Sequence, residues 1–128
     1  MLTIKAEIRP SSKPELGMGL FTLQDINKGD IIWQYEQDLD VCIDVNRLNT
    51  LTYVQQDFLN KYGWREDDKF YLSCDNSKYI NHSASDANLV CGEADITYAS
   101  RDIKAGEELF IDYGSFDDDY DNYSSTLI

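Results

Sequence analysis

Turn signals interrupt this chain so often that neither a long helix nor a long strand has room to form, and one of those turns is used twice. Asp25-Ile26-Asn27-Lys28-Gly29-Asp30 returns as Asp102-Ile103-Lys104-Ala105-Gly106-Glu107, each hexad setting a glycine before an acidic residue and ahead of an apolar segment. Glycine accepts positive φ without a steric penalty, so both hexads predict a tight turn that feeds a strand, over residues 31–35 in the first case and 109–113 in the second. Whether the echo marks an internal duplication is left open by the residues.

Residues 3–8 alternate Ile4, Ala6 and Ile8 with polar side chains, the period of a half-buried strand, until Ser11-Ser12-Lys13-Pro14 breaks it. Gly17-Met18-Gly19 leads into another short strand over 20–23. One segment departs from this pattern. Thr52 with Gln55 three positions on forms a capping box and Gly63 stands where a C-terminal cap belongs, predicting a helix over 53–62 with Val54, Phe58, Leu59 and Tyr62 on its buried face. The fold class is therefore mainly β, several small sheets with one short helix. At 128 residues the chain is one domain with a core of its own. Residues 1–114 hold the patterned part. Residues 115–128 form an acidic tail with interspersed aromatics, which on composition alone reads as a solvated, frayed terminus.

Eleven basic against 24 acidic residues give a net charge of -13, which repels a phosphate backbone and leaves no basic stripe for a nucleic acid. A cationic partner, a basic protein or peptide, is favoured instead. No apolar run nears the roughly 20 residues that cross a bilayer, and no basic-then-apolar leader opens the sequence. An intracellular, cytoplasmic protein is expected, with a nuclear location left open. Cys42, Cys74 and Cys91 are odd in number and far apart, so three reduced structural thiols and no metal site are expected.

Two segments carry the chemistry: Tyr79-Ile80-Asn81-His82-Ser83, and Gly106-Glu107-Glu108-Leu109-Phe110-Ile111-Asp112-Tyr113-Gly114, a turn leading into a strand that ends on a tyrosine. Each is ordinary alone; behind Gly17-Met18-Gly19-Leu20-Phe21, in this order and spacing, they are not. Together the three resemble the signature of the SET-domain protein lysine methyltransferases, from near the N-terminus through Gly114. The resemblance implies a SET (β-clip) fold with a pseudoknot-like C-terminal crossing, S-adenosylmethionine as methyl donor, and a lysine ε-amine of a protein as acceptor. It also implies that the donor's amino-acid end lies against Gly17, Met18 and Gly19, that Asn81 hydrogen-bonds it, and that His82 meets the adenine through its backbone with Lys78 and Tyr79 alongside. Nothing in the sequence supplies the nucleophile or orienting carboxylate that would make His82 half of a dyad, and a histidine satisfied within a packed loop remains the alternative.

Tyr113 is the residue expected to catalyse. Methyl transfer needs an uncharged amine in line with an electrophilic methyl group, shielded from water. A phenol at that point can accept a weak hydrogen bond from the polarised methyl and orient the amine. The lysine, which in water titrates at about pH 10.4, loses its proton more readily in an apolar channel.

Several positions depart from the family pattern. After Ser83 the family usually has Cys, a variable residue, Pro and Asn; Ala84-Ser85-Asp86-Ala87-Asn88 lacks the Cys and Pro and is one residue longer, which leaves the role of Asn88 open. Ile111 stands where many relatives carry an aromatic linked to how many methyl groups are added, so product multiplicity is unreadable. The cysteine-rich segment that follows in larger relatives does not appear, as in a minimal, stand-alone form. Phe116, Tyr120 and Tyr123, from a tail folded back, and Tyr71 are the candidates to line or close the lysine channel; a homodimer is another way to complete it. Two other readings stand beside this one. One is a catalytically lapsed module that binds donor or basic peptide; the other is a β-clip binding domain with no methyl donor.

Overall fold

The two glycine hexads bind each other. In the computed structural model, which describes residues 1–92 and 95–119, Ile26 and Ile103 exchange two backbone hydrogen bonds of 2.8 Å each. Around them Asp25 Oδ1 accepts from Ala105 N at 2.9 Å and Asp102 Oδ1 from Lys28 N at 2.8 Å, so each aspartate caps the turn of the opposite hexad. Gly29 and Gly106 lie at φ +90 and +94, the left-handed region that glycine enters freely. Both isoleucines are buried with Leu20, Ile32 and Leu109 in one apolar core. The repeated turn is thus a pseudo-symmetric clasp that brings the two halves of the chain together.

Among the described residues, three small sheets surround that clasp. β1 (Ala6–Pro10) pairs antiparallel with β2 (Met18–Thr22). A five-stranded sheet runs in the order β3 (Ile31–Gln34), β9 (Ile96–Ala99), β8 (Leu89–Cys91), β10 (Phe110–Ile111), β7 (Asn81–His82). A three-stranded sheet takes β4 (Val41–Asp44), β6 (Lys69–Leu72) and β5 (Trp64–Glu66). The mainly β architecture of small sheets is as expected. β10 lies parallel to both of its neighbours, with Ile111 opposite His82 on one side and Leu89 on the other. A late strand filling the slot between two earlier ones is the pseudoknot-like crossing.

Several boundaries differ from the expectation. The first strand starts at Ala6 because its partner is β2, and pairing rather than alternation sets its ends. The last strand shrinks to two residues because both strands flanking it are short. A second helix, the single turn α1 (Val45–Leu48), was not expected.

The predicted helix is present as α2 (Tyr53–Tyr62), with its capping box in place. Its buried face is much narrower than the apolar spacing suggests: Leu59 is buried, whereas Val54 is 79% and Phe58 49% exposed. The inward side is shared with a polar group, Gln56, whose amide donates to Leu48 O at 3.0 Å and Leu51 O at 2.9 Å. Gly63 does follow the helix, but at φ -100 it forms no left-handed cap. A Cβ there would lie 2.5 Å from Tyr71 O and collide with the Phe70 ring, so packing demands the glycine.

All three cysteines are free thiols, and Cys74 is exposed rather than packed as a structural thiol. Among the described residues no group of three or more His, Cys, Asp or Glu is placed to hold a metal ion, and no helix is long and apolar enough to cross a membrane.

Candidate active site

The crossing strand is secured by one buried side chain. Asn88, 1% exposed, donates through Nδ2 to Glu108 O and accepts from Phe110 N through Oδ1, both at 2.9 Å, while its own N–H donates to Phe110 O at 3.1 Å. The altered loop after Ser83 therefore still delivers an asparagine that brackets β10. Ser83 N continues the ladder to Ile111 O at 3.1 Å, and Ser83 Oγ closes the new turn by accepting from Asp86 N at 3.0 Å.

Tyr113 follows directly from this ladder. Its phenol donates to Ile80 O at 2.6 Å, and its N–H donates to His82 Nδ1 at 3.0 Å. Burial, and then the nearby Asp117 charge, push the phenol pKa up to about 12, so the group is neutral and holds its proton on the Ile80 carbonyl. The ring lines a cavity of about 340 Å³ together with Ile111, Phe116, Trp33, Trp64 and Lys78, and Glu66, Asp95 and Asp117 are also among its lining residues. Trp64 meets Phe116 edge-on at 5.9 Å and Trp33 at 5.8 Å, and Phe116 meets Tyr113 at 6.0 Å. Burial raises the Glu66 pKa, and the Asp95 charge adds to it. Aromatic faces and carboxylates together make this a hollow suited to an amine or ammonium.

The opening glycines do two different jobs. Gly17, exposed at φ +74, has nothing among the described residues within 4 Å of where a Cβ would stand, so a ligand can approach its Cα, while its N–H donates to Pro14 O at 3.2 Å and its carbonyl accepts from Ser11 N at 2.8 Å. Gly19 is buried against the protein itself: a Cβ would collide with Glu108 Oε2 and stand 3.3 Å from Asn81 Nδ2. Asn81 Nδ2 donates to Met18 O at 2.9 Å and to Glu108 Oε2 at 3.2 Å, tying the central motif to the opening loop. Met18 contributes its carbonyl, while its side chain stays exposed.

His82 is held as a neutral ring. Desolvation lowers its pKa, the Lys13 charge lowers it further, and Asp112 partly opposes both. Because Nδ1 accepts from Tyr113 N, its lone pair serves the fold rather than a proton transfer. His82 lies against the Tyr113 ring, with centroids 5.1 Å apart.

The remaining candidates separate. Lys78 faces the Tyr113 cavity, its Nζ donating to Asp75 O at 3.2 Å, and Tyr79 contacts Tyr62 of α2 at 6.4 Å. Tyr71 does not line the cavity; it stacks on Trp64 at 5.6 Å and supports that wall from behind. The chain after Tyr113 is not frayed over 116–119. Arg65 N donates to Asp117 Oδ1 at 3.1 Å and Asp118 N to Arg65 O at 2.8 Å, which fastens the segment to β5 and sets Phe116 over the cavity. Tyr120 and Tyr123 lie outside the described residues. Sequence reasoning missed Trp33 and Trp64 as cavity walls and Glu108 as the hub beneath the glycine loop. Glu108 sits inside a recognised motif, but its partners Ser11 and Ser12 are 97 and 96 positions away, and no local pattern joins them.

A threaded strand ending on a cavity tyrosine, beside a glycine loop tied to an Asn-His pair, defines a methyltransferase-like SET architecture, and the comparisons agree. The SET domain family matches residues 17–114, so this chain belongs to the SET-domain family. It is 33% identical, over 88% of its length, to histone-lysine N-methyltransferase EZH2 of Chaetomium thermophilum. It is 30% identical, over 74% of its length, to a histone-lysine N-methyltransferase of Neurospora crassa named as H3 lysine-4 specific. In both cases it spans 8% of the relative's length. Among solved structures, ctPRC2 in an autoinhibited conformation bound to S-adenosylmethionine superimposes over 96% of this chain and 17% of that one, with a TM-score of 0.70 at 22% identity, a likeness of fold.

Proposed function

We propose that this chain transfers a methyl group from S-adenosylmethionine to a lysine ε-amine of a basic protein. The observation that carries the reading is the Tyr113 phenol, which donates a hydrogen bond to Ile80 O at the wall of an aromatic and acidic cavity. With that proton occupied, the phenol oxygen keeps its lone pairs for a polarised methyl group and for an incoming N–H. Trp64 and Phe116 exclude water from the amine and, with Tyr113, orient it. Glu66, Asp95 and Asp117 draw a cationic lysine towards the cavity and favour its charged form, so the neutral amine depends on desolvation by the apolar walls of Trp64 and Phe116.

The chain offers a fitting place for the donor. Gly17 leaves the space beside its Cα free, and Asn81 turns its amide nitrogen inward, so that Oδ1 is the atom left to meet an ammonium. When bound, S-adenosylmethionine supplies the electrophilic methyl carbon. Gly17, Met18 and Asn81 would hold its amino-acid end, with His82 and Tyr79 towards the adenine, whereas Lys78 lines the Tyr113 cavity instead. The relatives' names support lysine methylation, and the fold relative was solved with this donor. Those relatives are named for histones, so a basic protein of that kind is the first substrate to try; they lend nothing to a cytoplasmic location.

The test is mass-spectrometric detection of lysine methylation when the purified chain is mixed with S-adenosylmethionine and a set of basic proteins, histones included. Methyl transfer lowered by roughly 10²-fold in Tyr113→Phe supports the reading. Tight binding of S-adenosylhomocysteine without transfer to any of them would instead favour the lapsed binding module.

A further inference from the structure

Glu108 is a buried side chain, 6% exposed, whose hydrogen-bond partners among the described residues are all neutral donors. Oε1 accepts from Ser12 N at 2.7 Å, Ser12 Oγ at 2.7 Å and Ser11 Oγ at 3.0 Å. Oε2 accepts from Ser11 Oγ at 2.9 Å and Asn81 Nδ2 at 3.2 Å. Among the described residues no cationic side chain pairs with it. A buried acid satisfied in this way is a bracket joining three segments: the start of the loop at 11–12, the glycine at 19, and the central motif at 81.

The bracket has a chemical consequence at Asn81. An asparagine amide can present either its oxygen or its nitrogen in a given direction, and only its partners decide which. Here Nδ2 faces two acceptors, Glu108 Oε2 and Met18 O, and a flipped amide would set oxygen against both. Oδ1 is therefore held on the other side. Gly19 belongs to the same device, since any Cβ would displace the Glu108 carboxylate.

We infer that Glu108 is a positioning residue for the methyl donor: it locks the Asn81 amide with its acceptor outward and closes the loop of residues 11–19, so that the site selects a ligand bearing an ammonium. The inference rests on the reading that the donor's amino-acid end lies at Gly17 and Asn81. It goes beyond that reading in assigning the selectivity to a residue that does not touch the donor.

Calorimetry with two ligands tests it: S-adenosylhomocysteine, which carries the amino-acid end, and 5′-methylthioadenosine, which lacks it. Glu108→Gln puts an amide among the donors and releases Asn81, so affinity for S-adenosylhomocysteine is expected to fall about tenfold or more, with 5′-methylthioadenosine affinity unchanged. Ser12→Ala removes one hydroxyl from the bracket and is expected to show a smaller loss in the same direction; it serves if Glu108→Gln fails to fold, as judged by circular dichroism. Wild-type affinity for S-adenosylhomocysteine in both variants, or an equal loss for both ligands, overturns the inference alone. A wild-type chain that binds neither ligand overturns the donor reading and this inference with it.

Discussion

The Tyr113 phenol and the Ile80 carbonyl, 33 positions apart, share a hydrogen bond of 2.6 Å. Ile80 directly precedes the Asn-His pair, so this bond fixes the height of the phenol relative to the residues assigned to the donor. Tyr113→Phe keeps the ring contacts with His82 and Phe116 but loses that bond. Stability is expected to drop by about 1 kcal/mol, readable in a denaturant titration, while turnover falls by roughly 10²-fold. A variant as active as wild type would remove Tyr113 from the chemistry.

Asn88 tests how far the site depends on the crossing strand. Asn88→Ala strips partners from Phe110 N and Glu108 O, both buried, and leaves a void. A loss of about 2–5 kcal/mol is expected. Asn88→Asp keeps an acceptor for Phe110 N yet offers no donor to Glu108 O, so it should also destabilise. Near-wild-type unfolding midpoints in both variants would contradict the bracket.

The two opening glycines should respond differently to alanine. At Gly17 the cost is conformational, about 1 kcal/mol for a Cβ at positive φ, with space to accommodate the methyl group. At Gly19 the Cβ runs into Glu108 and close to Asn81, so a larger loss of roughly 1–3 kcal/mol and weakened donor binding are expected. Thermal unfolding of the two variants side by side decides the order.

Phe116 is held over the cavity by a segment fastened to Arg65. Phe116→Ala should raise the KM for a lysine peptide several-fold and leave S-adenosylhomocysteine affinity unchanged, because the ring borders the cavity and not the glycine loop. Equal damage to both would mean that the segment supports the whole site.

His82 should make stability depend on pH. Its folded-state pKa lies below the usual 6.5, so the unfolded chain takes up the proton more readily. The contribution of His82 is therefore complete above about pH 6.5 and is lost as pH falls through the lower folded-state value. Protonation also removes the acceptor that Tyr113 N uses. His82→Gln should flatten the decline between neutral and mildly acidic pH relative to wild type, measured as melting temperature against pH.

Local chemistry was legible wherever it acts over a few residues. The capping box at Thr52 and Gln55 sets the start of α2, and Gly29 and Gly106 take the positive φ that their turns require. The burial of α2 was not legible: Val54 and Phe58 share a stripe with Leu59 but stand in solvent, because Gln56 occupies part of the inward side. Gly63 illustrates the same limit, since a glycine after a helix suggests a cap, while its neighbours Phe70 and Tyr71 turn out to require it sterically.

The order of residues alone determined the family, the turns and the three motifs, because those depend on residue type and short-range spacing. Only the tertiary structure decided that the two hexads clasp each other, that Asn88 rescues an altered loop, that Trp33 and Trp64 wall the cavity, and that Glu108 governs the Asn81 amide. Each of these is a contact between segments tens of positions apart. Hydrogen bonding and packing at that range are set by the route of the chain in space, and no local pattern encodes the route.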